Sequence, residues 1–176
     1  MKKITLIAVL FALFWQASAE NLERRNELKI CPAHLLAGSL RIEYERLLND
    51  FSSVGLTGLY SFSSLSSHRY DSRLEGQVLG FYRLYFGRRD PASGFFLEGN
   101  MGVTMGSHYH WRGGSWGSER VHYTSFGIGL ALGWKWYIQR PGIVLDIFAG
   151  GGRLFNDDNR RASGFPRVGV TIGRRF

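Results

Sequence analysis

The sequence predicts an all-β fold, an eight-stranded antiparallel up-and-down transmembrane β-barrel. Three observations lead to this prediction. The chain of 176 residues begins with an export signal, and the rest of it contains no apolar run long enough for a membrane-spanning helix. Eight segments then alternate between apolar and polar residues. Because backbone polar groups in lipid must be hydrogen-bonded within the protein, strands cross a membrane only as a closed barrel.

The N-terminal segment has the three parts of a secretory signal peptide. Lys2 and Lys3 form a positive region, 4–15 is uncharged and apolar, and 17–19 reads Ala-Ser-Ala, a small-x-small cleavage site. The apolar run is shorter than the roughly 17 residues that a spanning helix needs. We therefore expect export and cleavage after Ala19, which leaves one domain at 20–176. The expected destination of this domain is the outer membrane of a Gram-negative bacterium.

Eight segments show the period-2 alternation of strands that present one face to lipid and the other to the barrel interior. The clearest is 121–138, where Ile128, Leu130 and Leu132 alternate with small residues. The predicted strands cover 26–32, 38–48, 52–62, 73–86, 95–105, 121–138, 143–154 and 166–176. An even number of strands is the rule in bacterial single-chain barrels.

The lengths of the connections predict an orientation in the membrane. The first connection, at 33–37, is short. After it, three short turns and three longer loops alternate along the chain. The turns are 49–51, 87–94 and 139–142, and the loops are 63–72, 106–120 and 155–164. Short periplasmic turns and long outer loops are typical of outer-membrane barrels. We therefore expect both ends of the mature chain on the periplasmic side.

The inward-facing positions carry charges of both signs in nearly equal number, which predicts a network of paired charges. The cations are Lys29, Arg41, Arg73, Arg83, Lys135, Arg167 and Arg175, and the carboxylates are Glu27, Glu43, Glu45, Glu75, Glu98 and Asp146. An eight-stranded barrel is just wide enough for side chains to fill it. We therefore expect a filled interior and no open channel.

The composition limits the partners. The formal net charge is +8, and in a cytosolic protein this would suggest nucleic acid. The export signal makes nucleic acid an improbable partner, so the phosphates of outer-membrane lipid and lipopolysaccharide are the expected ones. The single cysteine, Cys31, cannot form an internal disulfide. We expect a monomer without a cofactor.

The longest predicted outer loop contains candidates for contact with a ligand or with lipopolysaccharide. They are His108, His110, Trp111, Arg112, Trp116 and Arg120. A His-x-His pair could bind a metal ion, but Glu119 is the one carboxylate nearby and no cysteine accompanies it. Exposed aromatic and basic side chains at the level of the lipid headgroups therefore explain the loop better than a metal site.

One short motif resembles the His and Ser pair that outer-membrane lipid A deacylases carry on a single strand. It is His122-Tyr123-Thr124-Ser125. Residues share a strand face only at even offsets, and His122 and Ser125 are three apart. The spacing therefore predicts opposite faces and no catalytic pair.

Two regions of the chain resemble a known group of proteins. They are 26–29 with 44–46 and 53–55, and the ending 166–176, where Val168, Val170 and Ile172 share a face with the final Phe176. Together they are similar to the small outer-membrane barrel family of unknown function common in Bacteroidetes, and more broadly to OmpA-, OmpX- and OmpW-type barrels. The resemblance implies that Val170, Ile172 and Phe176 form the signal read by the barrel-assembly machinery, and it implies no catalytic residue.

Three classes of function are compatible with these observations. A structural or surface-interaction barrel with a filled interior is the expected one. A lipid A-modifying enzyme and a passage for small solutes are the alternatives.

Overall fold

The computed structural model describes residues 24–62, 72–87, 90–111, 118–155 and 164–176. The predicted signal peptide and the central parts of the three longer loops lie outside these residues, as do Arg112 and Trp116. The side chains of 72–74, 108–111, 118–121 and 123 are also outside the description.

In the described part of the chain, eight strands and one short helix follow one another. The strands are β1 (Asn26–Ile30), β2 (Ser39–Asn49), β3 (Ser52–Ser61), β4 (Ser72–Tyr85), β5 (Gly94–Trp111), β6 (Ser118–Ile138), β7 (Ile143–Phe155) and β8 (Gly164–Arg175), and the helix is α1 (Pro32–Leu36). Each strand pairs antiparallel with the next, and β8 pairs with β1 to close the barrel. The predicted eight-stranded antiparallel up-and-down barrel is confirmed.

Helix α1 was not predicted from the sequence, which indicated a strand through residue 32 and an irregular connection at 33–37. The strand ends at Ile30 because Pro32 has no N–H for a ladder hydrogen bond. Pro32 instead occupies the first turn of α1, where its fixed φ favours the helix. Gly38, with a φ of 77°, turns the chain into β2. None of the described residues forms a helix long and apolar enough to span a membrane.

The predicted loop at 106–120 is wrong in extent. The β5–β6 ladder continues through it, pairing His108 with Val121 and Trp111 with Ser118. Gly, His and Trp suggested a loop by composition, but aromatic and β-branched residues also favour strands once a partner strand is in register. The remaining strand ends differ from the predictions by one or two residues.

The chain termini and the β4–β5 turn close one end of the barrel. Phe176 and Asn26 exchange two backbone hydrogen bonds of 2.8 and 3.0 Å. In this turn, Ala92 is fully buried, and its N–H donates a hydrogen bond to the carbonyl of Asp50 in the β2–β3 turn. Arg175 fixes this turn by donating to the carbonyls of Pro91 and Ala92.

Three aromatic rings enter the interior opposite glycines on neighbouring strands. Phe81 is paired with Gly55, Phe96 with Gly133, and Phe148 with Gly169. In each case a Cβ added to the glycine would collide with the ring. The glycines therefore make space for rings in a barrel too narrow to hold a side chain at every inward position.

We expect Gly133→Ala to destabilise the barrel by about 1–3 kcal/mol, because overpacking a filled interior forces rings and backbone to shift. The new Cβ would lie 2.5 Å from the carbonyl oxygen of Ile147 and 2.8 Å from Cβ of Phe148. Gly99→Ala, on the adjacent strand, is the control because nothing lies within 4 Å of its added Cβ. Urea unfolding of the two refolded variants measures the difference, and equal midpoints would contradict this account of the interior.

Candidate functional site in the barrel interior

Strand pleating directs one set of side chains into the barrel, and the buried charged residues belong to this set. In β8, for example, residues at odd positions from Phe165 to Arg175 are buried, and the even positions face outward. Every strand contributes at least one buried polar or charged side chain. The candidate site is therefore a network that joins all eight strands across the bore.

Lys29 on β1 lies among four carboxylates. Its Nζ is 2.6 Å from Asp146 Oδ2, 3.1 Å from Glu27 Oε2 and 3.3 Å from Glu43 Oε1. It also donates a hydrogen bond to Glu45 Oε2. One ammonium group thus neutralises charges that arise from three strands, β1, β2 and β7.

Arg83 on β4 forms a second centre of the same network. Its Nη1 donates to Glu45 Oε2 at 2.6 Å and to Asp146 Oδ2 at 3.0 Å, and its Nη2 lies 2.8 Å from both Glu43 and Glu98. The planar guanidinium suits this role because its five N–H groups can engage several carboxylates at once.

Glu45 is the carboxylate with the most partners. It accepts hydrogen bonds from Lys29, Arg83 and Lys135, and from the hydroxyls of Ser53 and Tyr85. Charge-assisted hydrogen bonds of this kind are the strong ones in protein interiors. Glu45 therefore ties its own strand to β1, β3, β4 and β6.

Two further arginines extend the network toward the two barrel ends. Arg167 Nε donates to Glu98 Oε1 at 2.8 Å on the side of the longer loops, and Arg175 Nε donates to Glu27 Oε1 at 2.8 Å on the side of the termini. Lys135 joins Glu27 and Glu45 between them. The paired charges thus occupy successive levels along the barrel axis.

The aromatic rings in the interior lie against these cations. The guanidinium carbon of Arg83 is 4.3 Å from the ring centre of Phe81 and 4.6 Å from that of Phe96, and that of Arg167 is 4.7 Å from Phe148. These distances are within the range of cation–π attraction, which is stronger when the groups are desolvated. Ring faces and carboxylates together surround each guanidinium.

Sequence parity placed most of these residues, with one correction. Arg41, Glu43, Glu45, Arg83, Glu98, Lys135 and Asp146 are buried in the interior. Glu75 was expected with them, but the pairing of β4 with β5 shifts between Leu74 and Gly76, and Glu75 lies at this irregularity. Its carboxylate accepts a hydrogen bond from Ser107 Oγ at 2.8 Å and lies 3.4 Å from Nδ1 of His122. The His122 side chain is exposed.

The interior rings Phe81, Phe96 and Phe148 were missed by sequence reasoning, which looked for charges at inward positions. A signal was present in β4, where residues of both parities are apolar over 78–85. A second signal was the glycines at inward positions of the strands beside each ring. Together these two features indicate rings that point inward.

The other predicted residues lie elsewhere. Val170, Ile172 and Phe176 are on the outer face and exposed. His108, His110, Trp111 and Arg120 belong to the β5–β6 hairpin, although their side chains are outside the description. His122 faces outward and Ser125 is buried in the interior, so these two residues do not meet on one face.

Cys31 is buried at the start of α1, with its Sγ 3.0 Å from His34 Nδ1. His34 belongs to the helix, outside the strands. Partial burial, and after it the guanidinium of Arg41, lowers the pKa of His34 below its ordinary value. In one tautomer, the neutral imidazole can accept a hydrogen bond from the thiol in this contact.

Glu43, Glu45 and Asp146 offer oxygens close enough together to hold a metal ion. Lys29 Nζ already contacts all three, and Arg83 also pairs with each of them. A metal ion would have to displace the ammonium group of Lys29. The arrangement is therefore suited to neutralisation by the chain's own cations.

We expect Lys29→Met to destabilise the barrel by about 3–5 kcal/mol, the usual effect of removing one partner from a buried ion pair. Four carboxylates would lose their shared ammonium group, although Arg83 and Lys135 would remain. Arg46→Met removes one positive charge from an exposed position on β2 and is the matched control. Folding yield and urea midpoint measure the effect, and similar values for the two variants would contradict the structural role of Lys29.

Comparison with known proteins identifies no family for this chain. No family model matches the sequence, and no curated protein matches it. Among solved structures, the N-terminal β-barrel domain of Pseudomonas aeruginosa OprF is similar, with 14% sequence identity and a TM-score of 0.49. The match covers 88% of this chain and 98% of that domain. A likeness this distant says nothing about ligand or activity.

Proposed function

We propose that the chain is an integral outer-membrane barrel that serves as a structural or surface-interaction protein with a filled interior. One observation carries this proposal. Many large apolar side chains of the wall face outward and are exposed, whereas six cations and five carboxylates of the described residues are buried inside. Soluble proteins have the reverse distribution.

The outer face supports lipid as the surrounding solvent. Exposed apolar residues occur on seven of the eight strands, all except β1. They include Tyr44, Val54, Leu56, Val78, Tyr82, Met101, Ile128, Leu130, Leu132, Ile147, Val168, Val170 and Ile172. Soluble monomers rarely expose so large an apolar surface. Each strand pairs with two neighbours in the closed ladder, which is the arrangement that lipid requires of strands.

Aromatic side chains collect near the end that carries the termini and the short turns. Phe86 and Phe95 have ring centres 5.8 Å apart, and Trp134 and Trp136 have ring centres 6.3 Å apart. Phe176 is exposed at the same end. Aromatic girdles of this kind lie at membrane–water interfaces, which supports an interfacial position for this end of the barrel.

The contacts inside the barrel support a filled interior rather than an open passage. Ion pairs cross the bore from β1 to β7 and from β4 to β2, and the β4–β5 turn covers the end near the termini. A passage for small solutes would require this network to open. The positions of His122 and Ser125 on opposite faces of β6 give no support to a deacylase built on this pair.

The partners belong to the same proposal. Outer-membrane lipid and lipopolysaccharide would contact the wall and the loop end, and the barrel-assembly machinery would read Val170, Ile172 and Phe176. Membership in the small outer-membrane barrel family common in Bacteroidetes also stays a prediction.

We expect the protein to fractionate with the outer membrane and to migrate differently on gels before and after boiling. A closed barrel has no free strand edge, so it should resist dodecyl sulfate until heat opens the ladder. Membrane fractionation followed by gels of unboiled and boiled samples tests both points. Recovery in the soluble periplasm with identical migration would contradict the proposal.

We expect cysteines at adjacent positions of β6 to react with different reagents. Leu130 is 63% exposed and Ala131 is 2% exposed, so Leu130→Cys should react with a lipid-soluble maleimide and Ala131→Cys should not. Both changes are made in a Cys31→Ala background and used only if the gel shift on boiling is retained. A charged, water-soluble maleimide should leave Leu130→Cys unlabelled in vesicles. Its rapid reaction there would mean that this face is in water.

A further inference from the structure

Arg41 differs from the other buried cations of the barrel. Only 4% of its surface is exposed. Its Nη1 donates to the carbonyl of Val168 at 3.2 Å, while its Nε and Nη2 have no hydrogen-bond partner among the described residues. The other buried cations each contact at least one carboxylate; these are Lys29, Arg83, Lys135, Arg167 and Arg175.

The charge count of the interior leads to the same residue. The described residues place six buried cations and five buried carboxylates in the bore. One positive charge is therefore in excess. Arg41 is the buried cation with no carboxylate of the described residues at ion-pair distance, and Glu43 and Glu98 act on it only from farther away. A buried charge without a counter-ion is strongly unfavourable, and an unsatisfied buried group of this kind indicates a water or an ion.

A second guanidinium with an unused nitrogen lies nearby. Nη1 of Arg167 also lacks a partner among the described residues. The guanidinium carbons of Arg41 and Arg167 lie 5.1 and 4.7 Å from the centre of the same ring, that of Phe148. Gly169 lets the Phe148 ring and Arg41 approach β8 closely, because a Cβ there would lie 2.8 Å from the ring and 3.5 Å from Nη1 of Arg41.

We propose that Arg41 and Arg167 bind a small oxyanion inside the barrel, on the loop side of the ion-pair network. The two free nitrogens of Arg41, Nε and Nη2, form one edge of the guanidinium. This edge matches two oxygens of a carboxylate or phosphate group in a bidentate contact. Water could accept these hydrogen bonds but would leave the excess charge in place, so an anion satisfies both requirements. The site does not depend on the membrane role.

The test uses the refolded protein in detergent micelles with sodium formate, phosphate or gluconate at equal ionic strength. Formate and phosphate are small oxyanions, whereas gluconate carries the carboxylate of formate on a bulky chain and reports effects of surface charge. A ligand that binds only the folded state at ten times its Kd raises the folded-to-unfolded ratio about elevenfold. We expect formate or phosphate to give such a rise over gluconate in urea unfolding.

Three variants locate the effect. Arg41→Gln should abolish the difference between small and bulky anions, and Arg41→Lys, which keeps the charge but loses the two-nitrogen edge, should weaken binding about tenfold. Arg153→Gln removes the same charge from an exposed outward position and should keep the difference. Each variant is compared with its own baseline in gluconate.

Equilibrium dialysis of radiolabelled formate and phosphate against the wild-type barrel gives a direct readout, which does not depend on whether a variant folds. Saturable binding of one of the two small anions at about one per barrel supports the site. Absence of saturable binding for both, or equal stabilisation by gluconate, would mean that water alone fills the space and would overturn the proposal. So would an unchanged anion effect in Arg41→Lys and Arg41→Gln.

Discussion

The structure depends on the mutual neutralisation of the charged side chains that the strands bring into the narrow barrel interior. Glu45 lies at the centre of this constraint, because its carboxylate accepts hydrogen bonds from Lys29, Arg83 and Lys135 and from two hydroxyls. Buried ion pairs are not in themselves strongly stabilising, since desolvation offsets most of their attraction. Their main effect here is on register. A slip of one residue would turn a charged side chain toward the apolar outer face and leave its partners unneutralised.

The same network couples the strands of the wall to one another through the interior. Each strand brings its charge to one level of the bore, and each aromatic ring fits where the neighbouring strand has a glycine. The loss of Lys29 or an added methyl group at Gly133 therefore acts on several strands at once. In the proposed outer-membrane setting, where the outer face contacts a solvent as apolar as its own side chains, such interior contacts supply most of the specificity.

Much of this fold could be predicted from the sequence, because period 2 is a local property that each strand displays by itself. Ile128, Leu130 and Leu132 show the outward face of β6 without any knowledge of its neighbours. The misplaced features depend on pairing between strands. Glu75 lies at an irregularity in the β4–β5 ladder, and the β5–β6 hairpin is longer than predicted because two segments with weak individual signals pair in register. The inward position of Phe81 follows from Gly55 on the next strand, a relation that a single segment does not contain.

The end of β1 links the wall to the unpaired charge. In the register of β1 with β8, Ile30 lies opposite Ile172, so the position opposite Val168 is residue 34, which belongs to α1. The ladder cannot satisfy the Val168 carbonyl there, and Arg41 reaches it from inside the barrel. A neutral side chain such as glutamine could donate that hydrogen bond without bringing a charge. The hydrogen bond to Val168 uses only one nitrogen of Arg41, and two others have no partner among the described residues. The excess of one cation in the bore is therefore better explained by an anion held there than by closure of the wall.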